Sequence, residues 1–172
     1  MTGRLQGKIA LITGSGHGIG RGIAIRFAKE GAKVGVLDIN PEGVKQTLDV
    51  ITNTGGQATA LICNLRQPEQ VSKAIHNFVA ENGAINIVMN NAAIMPSGVL
   101  HETSLDDWDA IFEVNVRGAY LDNREVIPIM LDNSCGSIIH MASVTGILGL
   151  RGLAAYSATK GALISLMRAM ST

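Results

Sequence analysis

Short apolar runs rich in β-branched residues alternate along the chain with longer segments whose apolar positions recur at helical spacing. Runs at 8–13, 33–38, 57–62, 86–90 and 137–141 read as strands, and segments 18–30, 42–53, 68–82, 105–131 and 153–171 read as helices. A strand buried on both faces shows no polar alternation, and Ile9-Ala10-Leu11-Ile12 is continuous in this way. The alternation of buried strands with helices predicts an α/β protein on a parallel sheet. Turn residues mark the boundaries: Asn40-Pro41 before one helix, Gly31 after another, Gly55-Gly56 and Asn82-Gly83 between elements. Segment 153–171 is apolar around most of its circumference, with Ala155, Ala158, Ala162, Leu163, Leu166, Met167 and Met170 on one broad face and Ile164 elsewhere. Such a helix needs more than one covering surface, which points to a subunit contact.

A chain of 172 residues suffices for one domain with a full core, and no repeat or linker divides it. Its 14 Lys+Arg balance 14 Asp+Glu, so no basic field draws in nucleic acid or an acidic membrane. The apolar stretch from Ile9 to Ile12 is too short for a signal-peptide core of ~7–15 residues, and no run approaches the ~18 of a membrane span. Cys63 and Cys135 match no zinc or CxxC spacing, and His76, His101 and His140 have no metal-ligand spacing. The expectation is a cytoplasmic protein without metal, nucleic-acid or membrane partners. His140, between apolar neighbours, is expected to be a satisfied buried histidine, and Cys63 an inert small hydrophobe. The 20 glycines exceed the usual ~7% of residues and call for a local cause.

That cause is the segment Thr13-Gly14-Ser15-Gly16-His17-Gly18-Ile19-Gly20, where the first strand meets the first helix. Closely spaced glycines let backbone N–H groups approach a pyrophosphate, and the helix N-terminus adds partial positive charge. The spacing is GxxxGxG over Gly14, Gly18 and Gly20 rather than GxGxxG, and no Gly-Lys-Ser/Thr follows, which excludes a nucleoside-triphosphate P-loop. A merely flexible turn is the competing reading. Asp38 closes the second strand, where a carboxylate can bond the adenosine ribose hydroxyls and repel a 2′-phosphate. With Ile39 next to it and His17 before Gly18, NAD is favoured over NADP.

Tyr156 and Lys160 stand four apart in a helical segment, hence on one face. A phenol is a poor base at neutral pH, and a neighbouring ammonium stabilises its phenolate. Taken alone, the pair also reads as a part-buried tyrosine beside a solvated lysine. Ser143 follows the fifth strand, at the end of the sheet where a ligand crevice opens, though a loop serine is commonly just a turn residue. Asn115 lies inside a long helix, where an amide is a mediocre helix former and reads on its own as an exposed or capped polar residue.

Taken in order, Thr13-Gly14-x-x-x-Gly18-Ile19-Gly20, Asp38, Asn90-Asn91-Ala92-Ala93, Asn115, Ser143 and Tyr156-x-x-x-Lys160 resemble the short-chain dehydrogenase/reductase family over nearly the whole chain. The resemblance implies a Rossmann-like, doubly wound parallel sheet with five strands in the order 3-2-1-4-5. It implies an oxidoreductase interconverting a secondary alcohol and a ketone. Tyr156 would be the acid/base, and Ser143 would hold the substrate oxygen. Lys160 would bind the nicotinamide ribose and lower the tyrosine pKa, and Asn115 would hold a water that relays protons. Cofactor contacts would fall to Thr13, Gly14, Ser15, His17, Gly18, Ile19 and Gly20, to Asp38 and Ile39, and to Asn64 and Leu65 at the adenine end. Asn91, Ala92 and Ala93 would border the cofactor, joined by Tyr156 and Lys160. Asn64 stands where the family commonly has aspartate, and Ala93 where it commonly has glycine. Homo-oligomer contacts would run through helices 105–131 and 153–171. The family continues through further strands and a substrate lid, so the sequence reads as a C-terminally truncated form or fragment whose fifth strand is an exposed edge. A non-catalytic dinucleotide-binding or dimerising remnant is the alternative. A methyltransferase accounts for the glycine turn and Asp38 but not for the Asn115, Ser143, Tyr156 and Lys160 set.

Overall fold

Along β1 (Ile9–Thr13) successive side chains enter opposite halves of the interior. Ala10 and Ile12 join one buried cluster with Ala24, Val34, Val36, Val44 and Ile51. Leu11 joins another with Leu37, Val71, Ile75, Phe78, Leu121 and Val126. The computed structural model, which describes residues 3–171, builds this two-sided core around β2 (Lys33–Asp38), β3 (Gln57–Ile62), β4 (Ile87–Asn90) and β5 (Ser137–His140). All pairings are parallel, in the order β3-β2-β1-β4-β5. Helices α1 (Gly18–Lys29) and α2 (Pro41–Asn53) cover one face; α3 (Pro68–Asn82) and α5 (Gly118–Asp132) cover the other. The expected α/β fold, Rossmann-like and doubly wound, is the one observed, with β5 at the sheet edge and Ile139 exposed on it. Among the described residues no helix is long and apolar enough to cross a membrane.

Local chemistry sets the helix starts. The Asn40 side chain accepts the N–H groups of Glu42 and Gly43 at 3.1 and 3.3 Å, and Pro41 supplies a preset first turn. Gly83 ends α3 in the left-handed conformation, φ +85°. In β2, Gly35 makes room for the other face: a Cβ there would come within 3.0 Å of both Phe78 Cζ and Leu11 Cδ1.

The helix expected over 105–131 is three pieces. It comprises α4 (Leu105–Phe112), a π-helical turn (Glu113–Arg117) and α5. Hydrophobic periodicity cannot register one inserted residue, and such turns concentrate at functional sites. A 3₁₀ turn (Leu100–Glu102) and the four-residue α6 (Thr145–Leu148) also escape the pattern, being too short to show a period. The last helix, α7 (Ala154–Met170), buries Ala155 and Leu163 but leaves Met167 and Met170 exposed.

Polar groups lie under α5. Asn90 Nδ2 donates to Asn123 Oδ1 at 2.9 Å, and Asn123 Nδ2 lies 3.2 Å from His140 Nε2. His140 departs from expectation: it is only part-buried, and its Nδ1 has no partner among the described residues. Burial, then the Lys160 charge, lower its pKa and keep the ring neutral. Asp122 is fully buried, and neither carboxyl oxygen has a hydrogen-bond partner among the described residues. Burial pushes its pKa up to about 8. Cys63 is buried, as expected, and burial together with the Asp122 carboxyl pushes its thiol up to about 12.

The unfolded chain releases the Asp122 proton near the ordinary value of 3.8, the folded chain near 8. Between these the folded state binds the extra proton, so stability falls as pH rises, by up to about 1.4 kcal/mol per pH unit from this group. Asp122→Asn should flatten the stability profile between pH 5 and pH 8, measured by urea unfolding; identical profiles for the two chains would show that the folded state does not hold this proton.

Candidate active site

Strand order reverses between β1 and β4, and a crevice opens there at the carboxyl ends of the strands. The glycine turn lies against this opening. Gly14 and Gly18 have φ of +64° and +55°, conformations that favour glycine. A Cβ on Gly14 would lie 2.7 Å from Ala92 Cα, and one on Gly20 would collide with the Gly14 carbonyl oxygen. The turn is held from three sides. Gly16 N–H donates to Asp38 Oδ2 at 2.8 Å, while Arg21 Nε donates to Gly16 O at 3.1 Å. The Thr47 hydroxyl donates to Ser15 O at 2.9 Å. Thr13 Oγ1 accepts Asn91 N–H and Ala92 N–H, both at 3.1 Å, and Asn91 Nδ2 returns bonds to Thr13 O and Gly14 O.

A groove of about 430 Å³ follows. Gly14, His17, Gly18 and Ile19 line it with Asp38 and Ile39; Asn64 and Leu65 lie along the same groove, as do Asn91, Ala92 and Ala93. Thr13, Ser15 and Gly20 do not. Ser15 is fully buried, its hydroxyl donating to Ile12 O at 2.7 Å, so it braces the turn instead of facing a ligand. Thr13 and Gly20 are likewise buried, Thr13 bonding the chain after β4 and Gly20 packing on the Gly14 carbonyl. Arg66, Ile94 and Val114 line the groove without having been singled out. No short motif marks them: Arg66 and Ile94 are held by Glu113 and Asn115 of the π turn, and Val114 lies in that turn. Gly16, inside the glycine turn, and Arg21, one residue after it, are bracing groups that the glycine spacing does not reveal.

Asn115 forms a second polar cluster with Ile94 and Thr159. It is buried, against the exposed reading its helical position suggests alone. Its Nδ2 donates to Ile94 O at 3.0 Å and Thr159 Oγ1 at 3.1 Å, and its Oδ1 accepts Ile94 N–H at 2.8 Å. Thr159 in turn donates to Tyr156 O at 2.7 Å, tying the π turn to the Tyr156 segment of α7. Lys160 is buried, not solvated; burial lowers its pKa, and Nζ donates to Met141 O at 2.6 Å. The same Nζ lies 5.4 Å from the centre of the Tyr156 ring. Ser143 Oγ accepts both Thr145 N–H, at 3.2 Å, and Thr145 Oγ1–H, at 3.0 Å, which leaves its own O–H for another oxygen.

A doubly wound parallel sheet with an uncapped helix N-terminus behind a glycine turn defines a Rossmann-like protein. The sequence model of the short-chain dehydrogenase family matches residues 8–172, and the chain belongs to that family of oxidoreductases. It is 38% identical over 168 residues to an uncharacterized oxidoreductase of Thermotoga maritima, covering 96% of this chain and 65% of that protein. It is 32% identical to a cyclohexanol dehydrogenase of an Acinetobacter species, covering 98% and 68%. Among solved structures, NAD+-bound xylitol dehydrogenase superposes with a TM-score of 0.92 at 30% identity, covering 95% of this chain and 63% of that one. The chain thus spans about two thirds of the length of these curated relatives.

Asn115→Ala should strip both backbone groups of Ile94 of their partner and cost about 1–3 kcal/mol in urea unfolding. A loss below about 0.5 kcal/mol would mean that solvent replaces the amide without penalty.

Proposed function

We propose that this chain carries the cofactor and catalytic groups of an oxidoreductase that interconverts a secondary alcohol and a ketone with NAD. The observation that supports it most is the buried Lys160 ammonium 5.4 Å from the centre of the Tyr156 ring, on a helix that Thr159 and Asn115 link to Ile94 of a groove built on an uncapped helix N-terminus. Residues of the groove fit a dinucleotide. His17 provides no side-chain cap to α1, so first-turn N–H groups are left for a phosphate, and a Cβ position on Gly18 meets open space. NAD-bound relatives of closely similar fold support the same choice. The dinucleotide supplies hydride acceptance from carbon, or donation to it.

The Ser143 O–H would hold the substrate oxygen, and the Tyr156 hydroxyl would carry its proton, taking it in oxidation and returning it in reduction. Lys160, fixed through Met141 O, keeps positive charge beside the phenol while the proton moves. Both donor protons of the Asn115 amide are spent on Ile94 and Thr159. A relay water at Asn115 would therefore donate to one of its carbonyl oxygens. Preference for NAD over NADP rests on the Asp38 carboxylate, and among the described residues the Arg21 and Arg66 guanidiniums are engaged elsewhere, Arg21 with Gly16 O and Arg66 with Glu113. Exposed Leu105, Tyr120, Leu131 and Met167 on the helices support a homo-oligomer. A second reading is a dinucleotide-binding protein without turnover, since the groove and the uncapped helix N-terminus serve binding without the Ser143 and Tyr156 hydroxyls.

Tyr156→Phe should keep NADH affinity within about twofold and lower turnover on a panel of alcohols and ketones by at least about a hundredfold. Near-normal turnover would reject the tyrosine mechanism, while NADH binding with no turnover by the unaltered chain would favour the second reading. Asp38→Ala should raise affinity for NADP relative to NAD; an unchanged ratio would remove the ribose assignment.

A further inference from the structure

The adenine end of the groove is formed by the chain leaving β3, residues 63–66, and this segment is seated along one helix. Cys63 lies beside the Asp122 carboxyl of α5. Leu65 packs on Gly118, where a Cβ would come within 3.1 Å of the Leu65 Cβ. Arg66, which lines the groove, donates from Nε to Glu113 Oε2 at 2.6 Å, and its Nη2 lies 2.5 Å from the same oxygen. Glu113 opens the π turn that carries Asn115. Its other oxygen faces Arg117 Nη1 at 3.9 Å, away from the groove lining.

Within the segment the restraints are short-range. Asn64 Oδ1 accepts Arg66 N–H at 3.0 Å, and Gln70 Oε1 accepts Asn64 N–H at 2.9 Å. These shape the turn but do not fix its distance from the π turn. The Arg66–Glu113 contact, bridging residues 47 apart in sequence, does that at the rim, where Leu65 and Gly118 do it beneath. An arginine engaged through two nitrogens is oriented as well as neutralised.

We propose that Arg66 and Glu113 are positioning residues for the adenosine half of the dinucleotide: the ion pair fixes the width of the adenine end of the groove. The inference rests on the dinucleotide reading above. Its recognisable ligand is the ADP-ribose portion, and the nicotinamide portion lies outside its reach. A pair with side chains 47% and 33% exposed is screened by salt, so the brace weakens as ionic strength rises.

The test is isothermal titration of ADP-ribose and of nicotinamide mononucleotide into the unaltered chain, Arg66→Met, Glu113→Gln, the reversal Arg66→Glu/Glu113→Arg, and Arg117→Ala. Each single change at 66 or 113 should weaken ADP-ribose binding about two- to fivefold at low salt, with the difference shrinking in 1 M NaCl. The reversal should recover most of the loss. Nicotinamide mononucleotide binding, and ADP-ribose binding by Arg117→Ala, should stay unchanged. Equal ADP-ribose affinity in the single variants, no recovery on reversal, or an equal loss in Arg117→Ala would overturn the brace while leaving the dinucleotide reading intact. Failure of the unaltered chain to bind ADP-ribose would overturn both.

Discussion

Two stretches of backbone approach each other at the point where the sheet reverses its strand order, and the site depends on how closely they do so. Gly14 meets the chain leaving β4 at a distance that admits no side chain, and Gly20 lies against the Gly14 carbonyl in the same way. This packing presents the α1 N-terminus to the groove and places Asn91 where its amide can bond the turn. Close backbone contact leaves no room for thermal slack, so the polar braces around it gain geometric precision. The Gly16 peptide is gripped at both ends, its N–H by a carboxylate and its carbonyl by a guanidinium.

That grip gives Asp38 two tasks. Its buried carboxylate holds the turn through Gly16 N–H and also accepts Asn40 N–H at 3.0 Å, next to the first residue of α2. A residue assigned to ligand selection from position alone is thus part of the scaffold as well. Asn115 shows the converse: an asparagine proposed for the chemistry spends its amide on backbone groups of the loop after β4 and on Thr159. The groups proposed for ligand binding and chemistry also brace the fold, because they lie where loops from β1 and β4 converge.

The other half of the interior carries electrostatic cost. Asp122, Asn90 and His140 each bury a polar atom without a partner among the described residues, beneath α5 and near β5. Removing such atoms from water without a compensating bond is unfavourable. The chain absorbs part of the cost by keeping these groups uncharged, with Asp122 protonated at neutral pH and His140 neutral.

How much was legible follows from the range of the interactions. The strands, the helices flanking them, the capping at Asn40 and the glycine turn are local, written in periodicity and in residues only a few positions apart. The order of motifs carried the family. The π turn at Glu113–Arg117, the inward turn of Ser15 and the burial of Asn115 and Lys160 were not legible, since each depends on what packs against the residue. Sequence by itself therefore determined the α/β class and the identity of the groups available for chemistry. Only the tertiary structure decided which of them meet: Arg66 with Glu113, Asn115 with Thr159, Lys160 with Met141. These pairs are 47, 44 and 19 residues apart, and a contact over such separations is set by the packing of whole elements rather than by any local preference of the chain.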